Sequence, residues 1–167
     1  MGVVLTPICS PIPWRANLTA FAYATRAALK RHAWLLPLLT SRPTLGPNYL
    51  RWFEYALSVI SALNPDMTIM MQMYSALYAY ITGVVGYELA EEENTRRTGL
   101  TDEDKHRYAT PYVQQVVAGG QHPYFARFFA EATTTGMDQN FAFGLDCLLD
   151  GLGGTQRTQT HRLAGPP

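Results

Sequence analysis

The sequence has few of the residues that build metal and redox sites. Its 167 residues include two cysteines, Cys9 and Cys147, and four histidines. The cysteines have no metal-binding or redox spacing, and no histidine follows an HxxxH or HExxH pattern. Two cysteines without such a spacing are typical of a reduced, cytoplasmic protein. We therefore expect no metal and no cofactor.

An excess of charge of one sign is also lacking. The chain has 13 basic and 13 acidic residues, so its formal net charge is zero, and only 16% of its residues are charged. DNA-binding domains usually carry a basic excess, so the charge gives no indication of DNA binding. The GxSxG, Walker and GxGxxG motifs do not occur, and we expect no enzyme.

The remaining polar candidates have plain structural interpretations. Asp146 and Asp150 are four residues apart and lie away from the apolar face of their predicted helix, so we expect them in solvent. Cys147 lies beside a leucine stripe and is interpreted as a small core residue. The Glu91–Glu93 run is expected to be a solvated face. The N-terminal sequence lacks the basic region of a signal peptide.

One long stretch, Met67–Arg97, has no proline and no charge between Asp66 and Glu88. It is apolar on all sides of a helical wheel, which predicts either a buried helix or a membrane span. Gln72, Ser75 and other polar residues interrupt it, and its tyrosines are not gathered at two interfaces. We therefore expect a buried central helix and no membrane association.

Helical periodicity covers most of the chain, and no segment alternates with period two, so the predicted fold is all-α. Residues 1–13 are expected to be a flexible lead-in, 14–153 one domain and 154–167 a disordered tail. Asp66 is the predicted N-cap of the central helix. The predicted helices are Trp14–Arg31, a short turn within Ala33–Leu39, Tyr49–Leu63, Met67–Arg97, Thr101–Ala118 interrupted near Pro111, His122–Thr134 and Gln139–Leu152.

Two helical stripes indicate close packing against other helices. Glycine inside a helix costs about 1 kcal/mol relative to alanine, so a small-residue stripe suggests that a second helix approaches closely. These stripes predict a homodimer; the alternative is that both form the core of a monomer. The predicted interface residues are Ala79, Gly83 and Gly86 on the central helix and Gly144, Leu145, Leu148 and Leu149 on the last helix, with Ala76 and Ala90 extending the first stripe.

Four segments in order resemble the C-terminal domain of the tetracycline-repressor (TetR) family of transcription regulators. They are WRANLTAFAYATRAALKRHAWLLPLL, GPNYLRWFEYALSVISAL, ALYAYITGVVGYEL and FAFGLDCLLDGL, and they span about Trp14 to Leu152. Two positions depart from the family pattern. His32-Ala33-Trp34 stands where His-Pro-Trp is frequent, and Asn64-Pro65-Asp66 stands where a glycine turn is frequent.

The resemblance implies a helical bundle around a ligand cavity and a homodimer built as a four-helix bundle from the central and last helices. It also implies an N-terminal helix-turn-helix domain for DNA binding, which we expect to be missing here. The chain would then bind a small lipophilic or aromatic effector and would not bind DNA by itself. The expected ligand-binding residues are Phe21, Trp52, Tyr55, Met70, Tyr74, Leu77 and Tyr78; for each, ordinary core packing is the alternative.

A second hypothesis has a different function. The domain could be a stand-alone protein of TetR type that has been repurposed as a ligand-sequestering protein or as an enzyme acting on a hydrophobic small molecule. Tyr55, Tyr74, Tyr78 and Tyr112 would then orient a polar substrate. No acid–base pair supports this hypothesis, so the effector-binding domain of a repressor is the preferred prediction.

Overall fold

The computed structural model describes residues 13–41, 46–100, 102–133 and 135–163. Within these ranges it contains helices and no strand, which confirms the predicted all-α class. The predicted lead-in, apart from Pro13, lies outside the described residues. The helices are α1 (Trp14–Arg31), α2 (Leu35–Ser41), α3 (Pro47–Ser61), α4 (Met67–Thr98), α5 (Asp102–Ala118), α6 (Pro123–Glu131) and α7 (Met137–Leu163).

None of the helices in these ranges has both the length and the apolarity that a membrane crossing requires. The described residues divide into two compact units. The first unit contains the residues up to Val85 and those from Gly144 onward; the second contains Gly86–Phe143.

Local signals set the start of the helices in the first unit. At α3, Gly46 is the N-cap and Pro47 occupies the first turn, where its missing N–H leaves no hydrogen bond unmade. At α4, the Asp66 carboxylate accepts a hydrogen bond from the Ile69 backbone N–H at 2.9 Å. The predicted N-cap is therefore confirmed, and α4 begins at the predicted residue, Met67.

The core of the first unit lies between one face each of α1, α3, α4 and α7. Apolar residues of these faces are buried, and Ile60, Leu77 and Leu149 are fully buried. Leu50 is an exception, because it is exposed and the buried face of α3 instead includes Ala56 and Val59. The buried apolar residues are Leu18, Phe21, Ala22, Leu29, Ala56, Val59, Ile60, Leu63, Met70, Met73, Tyr74, Leu77, Ile81, Val85, Leu145, Leu149 and Leu152.

The second unit differs from prediction in α5 and α6. Helix α5 continues through Pro111, where an interruption was predicted. Proline removes one helical hydrogen bond, but Pro111 is exposed, so water can reach the carbonyl that it leaves free. Helix α6 is shorter than predicted and buries none of its described residues. At the end of α4, Arg96 pairs with Glu93.

Helix α7 is longer than predicted and continues to Leu163, although the tail from Gly154 was expected to be disordered. Gly153 is the first residue beyond the predicted helix, and it lies against Trp14 of α1. A Cβ atom at Gly153 would lie 3.1 Å from Cζ2 of Trp14. The glycine therefore allows the Trp14 ring to lie directly against α7, and the helix does not break there.

Candidate functional site

Three of the predicted ligand-binding residues form one aromatic cluster between α1 and α3. The ring centroid of Phe21 lies 5.0 Å from that of Trp52 and 6.2 Å from that of Tyr55. Phe21 is buried, while Trp52 and Tyr55 are half-buried. The i,i+3 spacing of Trp52 and Tyr55 places both rings on the same side of α3, where they meet Phe21.

Two more predicted residues, Tyr74 and Tyr78, belong to a second group, which we call the tyrosine cluster: Tyr49, Phe53, Tyr74 and Tyr78. The Tyr74 and Tyr78 rings are stacked at 5.7 Å between centroids. Phe53 meets Tyr74 edge-on at 4.7 Å, and it also stacks on Tyr49 at 6.0 Å. The cluster is thus built from an aromatic i,i+4 pair on α3 and another on α4.

Tyr49 and Phe53 were not among the predicted ligand-binding residues. Phe53 was assigned to the core face of α3, and Tyr49 only to the start of that helix. The signal that could have identified them is their i,i+4 spacing, which matches the spacing of Tyr74 and Tyr78. The sequence does not show that the two aromatic pairs face each other, because this depends on the angle between the helices.

The hydroxyl groups of Tyr74 and Tyr78 are buried and have no hydrogen-bond partner among the residues that the structure describes. Tyr74 is only 5% exposed. Burial raises the pKa of both phenols above the usual tyrosine value, so both remain protonated and uncharged at neutral pH. The neighbouring Tyr49 hydroxyl raises the pKa of Tyr74 further but makes no hydrogen bond of normal geometry with it. The cluster therefore presents two neutral hydrogen-bond donors without a well-placed acceptor.

The last two predicted ligand-binding residues, Met70 and Leu77, are buried on α4. A groove lies elsewhere, at the first turns of α4, with a volume of about 570 Å³. Its described lining residues all come from α4: Met67, Thr68, Met71, Gln72 and Ser75. None of the seven predicted ligand-binding residues is among them. A groove lined from one helix is open to solvent, so it would enclose little of the surface of a ligand.

The small-residue stripe of α4 is not covered by the rest of the described chain. Ala76, Ala79, Gly83 and Ala90 are exposed, and Gly86 is half-buried. No atom lies within 4 Å of the position that a Cβ atom would take at Gly83. The helix is therefore buried on one side only, although its apolar composition extends all round.

The predicted interface residues of α7 have a different environment. Leu145 and Leu149 are 2% and 0% exposed, so they pack within the single chain and offer almost no surface to a partner. Leu148 is half-buried. At Gly144, a Cβ atom would lie 2.5 Å from the Tyr80 hydroxyl and 2.9 Å from the ring atom Cε2, so this glycine permits α7 to approach α4 of the same chain.

The exposed face of α7 carries residues whose surroundings differ from prediction. Cys147 is a free, exposed thiol, and its assignment to the core was wrong. It lies two residues from both Leu145 and Leu149, which turns it by about 200° to the opposite side of the helix. Asp146 and Asp150 are exposed as predicted, but both also bind Arg15 of α1, at 3.0 and 2.6 Å.

In the described part of the chain, no group of three or more His, Cys, Asp or Glu side chains is arranged to hold a metal ion. The structure therefore brings together an aromatic site with two donors, and a separate open face on α4. Neither arrangement contains an acid–base pair or a nucleophile placed for catalysis.

Comparison with known proteins gives consistent results. Residues 10–155 match the model of the family described as tetracyclin repressor-like, C-terminal domain. The chain is 35% identical to the HTH-type transcriptional repressor DrrR1 of Streptomyces coeruleorubidus over 139 residues, which are 83% of this chain and 51% of that protein. It is 28% identical to an HTH-type transcriptional regulator of Saccharopolyspora erythraea over 111 residues, which are 65% of this chain and 47% of that protein. The chain thus spans about half the length of these curated relatives.

Proposed function

Since the chain belongs to the family of tetracyclin repressor-like C-terminal domains, we propose that it is the effector-binding and dimerisation domain of a TetR-type transcriptional repressor. The two relatives are transcription regulators, and one of them is a repressor. Nothing in the described site favours catalysis, so the repurposed enzyme is not the preferred function.

The observation that carries effector binding is the pair of unpartnered hydroxyls on Tyr74 and Tyr78. A buried hydroxyl without an acceptor costs about 1–3 kcal/mol, and folding gains nothing from it. A ligand that accepts a hydrogen bond would recover that free energy. The surrounding rings of Phe53 and Tyr49 supply apolar contact area for a lipophilic or aromatic molecule.

Dimerisation is proposed through the exposed small-residue stripe of α4, with Ala79 and Gly83 at its centre. Small side chains let two helix backbones approach closely, and the space around Gly83 is open. The burial of Leu145 and Leu149 reduces the contribution of α7 from that side, so its partner-facing surface would be the opposite face, which carries Cys147.

The chain alone is proposed not to bind DNA specifically. Phosphate contacts by Lys and Arg supply most of the affinity of DNA-binding proteins. The formal net charge of the chain is zero, so no overall attraction offsets the loss of hydration. In a full-length repressor, effector binding to this domain would be coupled to operator binding by a separate DNA-binding domain. The names of the two relatives, which include HTH, support such a domain.

Thermal unfolding in the presence of a library of lipophilic aromatic compounds tests the effector proposal. A ligand that binds only the native state raises its stability by about 2.7 kcal/mol at 100 times its Kd. Any compound found in this way should bind at least about 10-fold more weakly to Tyr74→Ala, because that variant removes both a ring and a donor. Tyr112→Ala, at an exposed tyrosine, is the matched control and should bind like wild type.

Two results would contradict the proposal. One is a broad library in which no compound shifts the unfolding temperature. The other is a ligand whose affinity is unchanged in Tyr74→Ala, because its site would then lie outside the tyrosine cluster.

A further inference from the structure

We infer that the tyrosine cluster selects flat, uncharged ligands that carry hydrogen-bond-accepting oxygen atoms, with the Tyr74 and Tyr78 hydroxyls as the donors. The inference rests on the proposed effector-binding function and narrows the chemical class of the effector. It is carried by the geometry of two residues on adjacent turns of α4 and by the rings around them.

The two hydrogen-bond donors lie on adjacent turns of α4. Tyr74 and Tyr78 are four residues apart, which separates them by about 6 Å along the axis of α4. Both hydroxyls are buried, and in the described part of the chain neither makes a hydrogen bond of normal geometry, although the Tyr49 hydroxyl lies near that of Tyr74. Tyr74 is more than nine-tenths buried, so its hydroxyl is shielded from bulk solvent. A ligand with accepting oxygen atoms is thus the complementary partner.

The orientation of the aromatic rings favours a flat ligand. The Tyr74 and Tyr78 planes are only 16° from parallel. Phe53 stands at 90° to Tyr74 and closes one side of the cluster with its edge. Parallel aromatic faces stack best on another flat π-system. Tyr49 and Tyr78 are half-buried, so the cluster extends to the surface of the chain.

The protonation state of the Tyr74 and Tyr78 phenols favours an uncharged ligand. Burial raises the pKa of Tyr74 and Tyr78, so neither becomes a phenolate that could pair with a cationic ligand at neutral pH. An anionic ligand would lose its hydration among aromatic rings, which costs far more than the desolvation of a neutral carbonyl oxygen. Carbonyl and similar neutral oxygen atoms are therefore favoured over ionised groups.

A pair of matched probes tests the inference. Fluorenone and fluorene share a flat three-ring skeleton and differ at one carbon, which bears the carbonyl oxygen in fluorenone. We expect wild type to bind fluorenone about 5-fold more tightly than fluorene, the contribution of one neutral hydrogen bond. In Tyr74→Phe/Tyr78→Phe the ratio should fall below about 2-fold while the affinity for fluorene is unchanged. Fluorene-9-carboxylate should bind wild type at least about 10-fold more weakly than fluorenone.

Calorimetry or quenching of tryptophan fluorescence gives each Kd, and Tyr112→Phe, with its exposed hydroxyl, serves as the control. Equal binding of the two probes, or a fluorenone preference that survives in the double variant, overturns the inference but leaves effector binding intact. Tighter binding of the carboxylate overturns the requirement for an uncharged ligand. If neither probe binds wild type, the inference is wrong, while a hit in the broad library would still support the proposed function.

Discussion

Tyr74 is the residue whose environment should differ most between the ligand-free and the ligand-bound domain. In the ligand-free chain its hydroxyl is a buried donor without a well-placed acceptor among the described residues. We expect Tyr74→Phe to stabilise the ligand-free protein by about 1 kcal/mol, because the variant keeps the ring and removes the unsatisfied group. Chemical denaturation measures this change. Tyr112→Phe, at a tyrosine that is 70% exposed, should stay within about 0.5 kcal/mol of wild type.

The pH dependence of folding stability is a second measurement that distinguishes Tyr74→Phe from wild type. Burial raises the pKa of Tyr74 in the folded chain, so the folded state keeps its proton to higher pH than the unfolded state. Stability from this source is complete below the unfolded pKa of about 10 and is lost as pH rises above it. Tyr74→Phe should therefore lose less stability above that pH. A variant less stable than wild type at neutral pH would show that the hydroxyl already has a partner.

At the scale of the elements, a local signal predicted the start of α4, and the predicted start of α3 was two residues late. Asp66 caps α4 through its own carboxylate, and Pro47 fixes the first turn of α3. Such signals act within four residues, so the sequence displays them directly. The contact between α7 and the Trp14 ring at Gly153 could not be predicted in this way, because the two residues are distant in sequence.

The sequence likewise predicted only part of the candidate site. Helical spacing placed Tyr74 and Tyr78 on one side of α4, and the structure buries Tyr74 and both hydroxyl groups. The division of the predicted residues into two aromatic clusters was not visible, because it depends on how α1, α3 and α4 cross. Tyr49 was missed for the same reason, and the exposure of Cys147 was missed because its side of α7 was misjudged.

Packing between α4 and α7 gives a prediction with an internal control. A methyl group at Gly144 would lie 2.5 Å from the Tyr80 hydroxyl and 3.0 Å from Cζ, so the rigid ring must move. Overpacking of this kind costs about 1–3 kcal/mol, and the better helix propensity of alanine offsets about 1 kcal/mol. We therefore expect Gly144→Ala to destabilise the protein by about 1 kcal/mol.

Gly151→Ala is the matched control on the same helix, because nothing lies within 4 Å of its Cβ position. It should stabilise the protein by up to about 1 kcal/mol through helix propensity alone. Urea denaturation of the two variants measures the difference. Equal stabilisation by both substitutions would mean that Tyr80 yields without cost and that Gly144 is not required for the approach of α7 to α4.

For the molecule as a whole, the question is why α4 keeps glycine on a face that the single chain leaves open. Glycine at Gly83 costs about 1 kcal/mol in helix propensity relative to alanine, and no described side chain occupies the space beside it. Within the described part of a single chain, no contact beside Gly83 compensates for that cost. A second copy whose helix approaches this face would compensate for it, and the exposed Ala76 and Ala79 continue the same surface.

Sedimentation of Gly83→Leu tests this assembly. Wild type should sediment at micromolar concentration with twice the chain mass of 18.6 kDa. In a single chain the leucine meets open space and improves helix propensity, so the variant should fold. In a dimer it would hold the two helices apart, and we expect the dissociation constant to rise at least about 100-fold, equivalent to about 3 kcal/mol. Ala24→Leu adds a similar side chain to an exposed position of α1 and should remain dimeric. A monomeric wild type, or a Gly83→Leu variant that dimerises as tightly as wild type, would contradict an interface on this face of α4.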